Sequence, residues 1–220
     1  MEYDIRYKPS FATIFVTLSP GERITAEAGA MISMDSRLSM KSRVSGNIFG
    51  AWLRSTFGGE SLFVNEFKND TAQPLTLVLS QATIGDIAGV ELTNSAICFQ
   101  PGAYIAHTPG IQLGLRWAGF TSGFAGEGFF KLKLSGTGRV FFGAYGGLTK
   151  KIMDGDLIVD NGHLVAYSPS IKMGLRFSGG LLASMTSQEG LVNRLQGRGE
   201  VYLQSRSLDG LVSFLRSKVR

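Results

Sequence analysis

The chain has 220 residues, of which 44% are hydrophobic and 18% are charged, so it can bury a sizeable core and is not a disordered segment. Its single cysteine, Cys98, excludes an internal disulfide and a cysteine-rich zinc site, and its apolar neighbours predict that it is buried in a strand. The formal net charge of +5 permits an acidic partner, but the basic residues are scattered and form no block typical of nucleic-acid binding.

The amino terminus carries no basic region followed by an apolar stretch, so we predict no signal peptide. Further along, no run of eighteen apolar residues lacks a charge, because Arg116 and Glu127 interrupt the glycine-rich segment around 110–130. We therefore expect a soluble, cytoplasmic protein.

An eighteen-residue pattern occurs three times without a gap, at residues 29–46, 102–119 and 162–179. Each copy begins and ends with glycine and places a turn between a short apolar strand and a strand in which apolar residues alternate with others. A fixed period of this kind is the mark of a repeated architecture. It predicts three copies of one small β unit packed about a pseudo-three-fold axis.

The rest of the chain extends this pattern. Further short strands are predicted after each copy, and Ser207 is placed to cap a short helix that carries basic residues in its last turn. We therefore predict an all-β sandwich or jelly-roll protein with one short carboxy-terminal helix. We expect residues 1–220 to form a single compact domain with approximate repeats at 1–80, 81–145 and 146–220.

The triple motif, its Gly-Leu-Arg-aromatic strands at 114–117 and 174–177, and the terminal helix resemble the Aim24-like family, named after a mitochondrial biogenesis protein. The resemblance covers nearly the whole chain. It implies a short double-stranded β-helix, like that of the trp RNA-binding attenuation protein (TRAP), present three times in one chain. The family has no established enzyme activity, so the resemblance implies a fold rather than a reaction.

One arginine recurs at the same position of each copy: Arg43, Arg116 and Arg176. Guanidinium groups that converge near an axis could hold an anionic ligand or a nucleic-acid backbone. Alternatively, each arginine pairs with an equivalent acid and ties the repeats together, which three matching acids favour. These candidate ion-pair partners are Glu60, Glu127 and Glu189.

The loops that follow the copies are rich in large apolar residues. Such side chains could stack on RNA bases or contact a membrane surface, but burial in a core or subunit interface is the favoured interpretation. The residues concerned are Phe49, Trp52, Phe57, Trp117, Phe120, Phe124, Leu181, Leu182 and Met185.

Catalysis receives no support from the sequence. His107 and His163 stand at different repeat positions and form no metal-binding spacing, so we predict no metal, cofactor or catalytic residue and no small-molecule substrate. We expect a non-enzymatic scaffold or interaction protein that forms a homo-oligomer and contacts a protein partner. The alternatives are an RNA-binding or anionic-ligand module and a protein associated with a membrane surface.

Overall fold

The structure is a computed structural model, and it describes residues 1–44, 63–100, 102–120, 128–177 and 191–218. These residues form strands almost throughout, with a helix near the carboxy terminus, which confirms the predicted all-β class. Ser207 caps that helix, as predicted, because its side chain accepts a hydrogen bond from the Gly210 main-chain nitrogen.

For description the chain is divided into a first segment (1–80), a second segment (81–145) and a third segment (146–220). The first segment contains β1 (Glu2–Arg6), β2 (Thr13–Leu18), β3 (Arg23–Glu27), β4 (Met31–Met34), β5 (Ser39–Val44), β6 (Phe63–Lys68) and β7 (Leu75–Leu79). The second segment contains β8 (Ile87–Phe99), β9 (Tyr104–His107), β10 (Ile111–Phe120) and β11 (Gly128–Gly143). The third segment contains β12 (Leu148–Asp160), a 3-10 turn (Asn161–His163), β13 (Leu164–Tyr167), β14 (Lys172–Phe177), β15 (Leu191–Gln204) and the helix α1 (Leu208–Arg216).

The pairing of strands follows one plan in all three segments. In the second segment, β8, β9 and β10 each run antiparallel to β11. In the third, β12, β13 and β14 each run antiparallel to β15. The first segment divides the last strand in two: β2 and β4 pair with β7, whereas β3 and β5 pair with β6.

A β-bulge recurs at one position of this plan. The register shifts at Ile32 in β4, at Ile105 in β9 and at Val165 in β13, and in each case one residue is left out of the ladder. A bulge bends its strand and raises the local twist, so its position changes where the following residues point. The three short strands therefore leave their partner strands in the same way.

Successive segments are joined by a junction of two residue pairs with matching register. At the first junction, Thr25 pairs with His107 and Ala26 pairs with Ala106. At the second, the two pairs are Cys98 with Tyr167 and Phe99 with Ala166. In the sequence, Cys98 and Tyr167 are equivalent to Thr25 and His107. Among the described residues, no strand pair joins the third segment to the first.

The apolar core is shared across these junctions. Phe142 packs against the rings of Phe99 and Tyr202, whose centroids lie 5.2 Å and 5.0 Å from that of the Phe142 ring. Phe142 is fully buried, and the three rings belong to the second and third segments. Cys98 is also fully buried, as its neighbours predicted, and burial raises the pKa of its thiol.

Main-chain contacts at Gly85 tie the three segments together. Gly85 forms parallel bridges with Phe11 of the first segment and Gly146 of the third. Its carbonyl oxygen accepts a hydrogen bond from the Ala12 nitrogen, over 3.0 Å. A Cβ atom at this position would overlap the Ala144 carbonyl oxygen and lie within 2.7 Å of the Gly146 main chain. Only glycine fits here without moving the backbone.

Candidate functional site

The outer edge of β4 is an apolar surface that nothing in the described structure covers. β4 pairs on one side with β7, and its other edge has no strand partner among the described residues. Its bulge residue Ile32 is 57% exposed, whereas the equivalent Ile105 and Val165 are 2% and 1% exposed. The difference arises because strands of another segment pair with β9 and β13, whereas no described strand covers this edge of β4.

The outer edge of β12 is exposed at the opposite end of the chain of segments. Ile158 is 68% exposed, whereas Cys98 occupies the equivalent position of β8 and is 0% exposed. Cys98 is covered because β13 pairs with β8 at that position. Within the part of the chain that the structure describes, β12 pairs only with β15, so Ile158 has no such cover. The site that we consider functional therefore consists of the β4 edge (Met31–Met34) and the β12 edge (Ile158 and Val159).

The two edges are complementary. Repetition of the junction register would pair Met34 with Ile158 and Ser33 with Val159, just as His107 pairs with Thr25. Unpaired edges offer main-chain donors and acceptors to another strand, and the exposed isoleucines add apolar area to be buried. The arrangement can bind β-strands.

The predicted arginines Arg43 and Arg116 hold equivalent positions but make different contacts. Arg43, Arg116 and Arg176 face Val64, Lys131 and Val192 across their ladders, so they hold equivalent register positions. The Arg43 guanidinium lies 3.2 Å from a carboxylate oxygen of Glu66 on the next strand. The Arg43 side chain is largely exposed although that of Glu66 is mostly covered, so solvent screens the pair and its contribution to stability is small.

Arg116 makes a different contact, which crosses the second junction. Its guanidinium donates hydrogen bonds to the main-chain carbonyl oxygens of Pro169 and Ile171, the latter over 3.5 Å. It also lies 6.0 Å from the centroid of the Tyr167 ring. Arg116 thus ties the second segment to the third through carbonyl groups.

Several predicted residues lie outside the described structure. For Arg176, the main chain is described as part of β14 but the side chain is not. The convergence of the three arginines and their pairing with the three acids both stay predictions. The structure also does not describe the predicted acids Glu60, Glu127 and Glu189. Of the apolar loop positions, it describes only the main chain of Trp117 and Phe120, which belongs to β10.

Sequence reasoning missed a buried lysine at the second junction. Lys131 is 4% exposed, at a position where the first and third segments have Val64 and Val192. It donates a hydrogen bond to the Gln100 side-chain oxygen, and burial lowers its pKa to about 8. The only sequence signal for its burial was that a lysine takes the position of a valine in a strand whose apolar residues alternate with others.

A cavity of about 270 Å³ lies between the second and third segments. Side-chain amides line it, and two of them hold the main chain: Gln81 donates to Ala144 and Gln204 donates to Gly162, each over 2.8 Å. The Gln100 amide nitrogen is buried without a hydrogen-bond partner. None of the described lining residues is arginine or lysine, so the cavity wall offers no cation to an anionic ligand.

Both histidines are held by structural hydrogen bonds. His107 Nδ1 lies 2.7 Å from the Tyr104 hydroxyl, and His163 Nδ1 donates to the Gln204 carbonyl oxygen over 2.8 Å. Burial at the first junction lowers the pKa of His107 to about 4. Among the described residues, no group of three His, Cys, Asp or Glu side chains is arranged to hold a metal ion.

Because His107 is buried, we expect acid to lower the free energy of unfolding. Its pKa is about 4 in the folded protein and 6.5 for a histidine free in water, so the unfolded chain binds the proton first. This contribution is complete above pH 6.5 and disappears as the pH falls towards 4, with a loss of about 3 kcal/mol at most. Urea unfolding at several pH values measures the effect. In His107→Gln the free energy of unfolding should change less between pH 6.5 and 4.5, and an unchanged slope would contradict the assignment.

No helix within the described ranges is long and apolar enough to cross a membrane.

A model of the family described as mitochondrial biogenesis AIM24 matches residues 3–206. An uncharacterised protein of Streptococcus pyogenes serotype M6 is 26% identical over 225 residues, which cover 98% of this chain and 90% of that protein. The crystal structure of a Streptococcus pyogenes protein matches with a TM-score of 0.80 and 25% identity over 99% of each chain. The match to the family spans most of the sequence, as the resemblance predicted, and the chain belongs to the mitochondrial biogenesis AIM24 family.

Proposed function

We propose that the protein is a non-catalytic scaffold whose copies join head to tail, the β12 edge of one copy pairing with the β4 edge of the next. The observation that carries the proposal is the contrast between Ile32, which is exposed, and Ile105 and Val165, which are buried. A surface that is covered twice within the chain and left open at each end is suited to a further copy of the same chain. Pairing of two different edges is a heterologous contact, which builds chains or rings.

We also propose a finer description of the fold. Each segment is a TRAP-like short double-stranded β-helix, and successive segments are related by about the same rotation. The recurrence of the strand plan, the bulge and the junction register supports this relation. The pseudo-three-fold arrangement is then an open one, in which the third junction is formed between copies rather than within one chain.

The absence of catalysis is part of the proposal. Two residues of types that can perform acid–base or nucleophilic chemistry are instead part of the packed interior. His107 shares a hydrogen bond with Tyr104, and the Cys98 thiol is buried. Burial raises the pKa of that thiol, so little of the reactive thiolate is present at neutral pH. The pair of strand edges at β4 and β12 is exposed in the described structure, and in this proposal it serves binding.

Substitution of either exposed isoleucine should abolish the assembly. We expect the native protein to show an average mass above the 23.7 kDa of one chain, rising with concentration. Ile32→Lys and Ile158→Lys should each reduce this mass to that of single chains, because a lysine at the edge blocks strand addition. Size-exclusion chromatography with light scattering measures the mass.

Ile152→Lys is the matched control, since Ile152 is an exposed isoleucine of the same β12 strand but lies six residues before the junction position. It should assemble as the native protein does. A native protein that stays a single chain at every concentration would refute the proposal, and so would assembly that resists both edge substitutions.

A further inference from the structure

The helix α1 stands outside the apolar core. None of its residues is buried, although five of its nine residues are large and apolar. The side chains of these five are between 37% and 59% exposed: Leu208, Leu211, Val212, Phe214 and Leu215. A helix in a folded protein ordinarily buries such residues against a neighbour. In the described part of the chain, α1 touches the 3-10 turn (Asn161–His163), but no element there buries these five side chains.

The exposed apolar side chains share one face of the helix. At 3.6 residues per turn, Leu208, Leu211 and Leu215 lie one above another, with Val212 and Phe214 on either side of them. The opposite face carries Asp209, Gly210 and Ser213 together with Ser217 just beyond the helix. α1 therefore has one continuous apolar face and one polar face.

The charges around α1 are mostly positive. Arg206 precedes the helix, Arg216 ends it and Lys218 follows it, and all three are exposed. Asp209 is the only carboxylate between residues 206 and 218. The Lys218 amino group lies 5.8 Å from the centroid of the Phe214 ring, so a cation borders the apolar face. Long basic side chains in this position can keep their charge in water while the stem covers apolar surface.

We propose that α1 docks its apolar face into the surface of a lipid bilayer rich in anionic headgroups. A short helix with exposed leucine and phenylalanine on one side and bordering cations is suited to lie in the interface plane. The basic residues are attracted to anionic lipids at a membrane surface. A second copy of the chain is a poorer occupant, because two helices with the same three cations would repel each other.

The interaction of one helix with a bilayer is weak, since only five apolar side chains can enter the interface. Several helices on one assembly would bind with higher avidity, because each docking event raises the local concentration of the next. The proposal does not require self-association. Without it, single chains bind the same vesicles less tightly.

Flotation of the full-length protein with lipid vesicles tests the proposal. We expect partition into vesicles of phosphatidylcholine mixed with phosphatidylglycerol and little into phosphatidylcholine alone. Phe214→Gln should lower the partition into the anionic vesicles about tenfold or more, because a buried phenylalanine contributes strongly to transfer. Arg216→Gln should lower it about fivefold.

Ser213→Gln is the matched control, because the same polar residue is then placed on the opposite face of α1. It should bind as the native protein does. Failure of the native protein to bind anionic vesicles would overturn the proposal, as would equal binding to neutral vesicles or equal losses in Ser213→Gln and Phe214→Gln. If Phe214→Gln instead lowers the mass of the particle in solution without changing vesicle binding, a second copy covers the helix and the lipid assignment is wrong.

Discussion

Replacing Gly85 by alanine should destabilise the protein by more than about 3 kcal/mol. A Cβ atom there would overlap the Ala144 carbonyl oxygen, and the nearby Gly146 atoms are also main chain. None of these atoms can rotate away as a flexible side chain would, so the backbone must shift where all three segments meet. Urea unfolding followed by circular dichroism measures the loss of free energy.

Gly174→Ala is the control for this prediction. Gly174 lies in β14, and a Cβ atom there meets nothing within 4 Å. The substitution should change the free energy of unfolding by less than about 0.5 kcal/mol. If Gly85→Ala is as stable as Gly174→Ala, the close approach of the segments at Gly85 is wrong.

Replacing Phe142 by alanine should cost about 4 kcal/mol, the range found for large apolar side chains removed from a core. Phe142 is fully buried and packs against the rings of Phe99 and Tyr202, so its removal leaves a cavity at the second junction. The two neighbouring rings belong to the long strands β8 and β15 and cannot move freely to fill it. Thermal and urea unfolding should both report the loss.

Two variants define the size of this effect. Phe142→Leu keeps most of the volume and should cost about 1 kcal/mol. Phe11→Ala removes the same side chain from an exposed position and should cost less than about 0.5 kcal/mol. A small loss in Phe142→Ala would indicate that the second junction is loosely packed and is not a fixed element of the fold.

The local elements of the fold could be predicted from the sequence. Alternation of apolar residues predicted strands such as β14, the neighbours of Cys98 predicted its burial, and Ser207 predicted the start of α1. These signals are local, because a strand pattern or a helix cap is decided by residues close together in the chain. The TRAP-like identity of the segments and their three-fold relation stay predictions.

The candidate site could not be predicted in the same way. Ile32 and Ile105 are the same residue type at the same repeat position, yet one is exposed and the other buried. The difference depends on which segment covers which edge, and that is decided by long-range packing. Likewise, the Arg116 guanidinium binds the main-chain carbonyls of Pro169 and Ile171, and a main-chain acceptor has no residue-type signature.

The most direct test of head-to-tail pairing is to mix the two edge variants. Ile32→Lys keeps an intact β12 edge and Ile158→Lys keeps an intact β4 edge, so one junction can form between them and none can follow. Sedimentation velocity should show single chains in each separate sample and, in the mixture, a species of twice the 23.7 kDa chain mass containing one copy of each variant. Two variants that stay single when mixed, or that assemble further than a pair, would contradict the account.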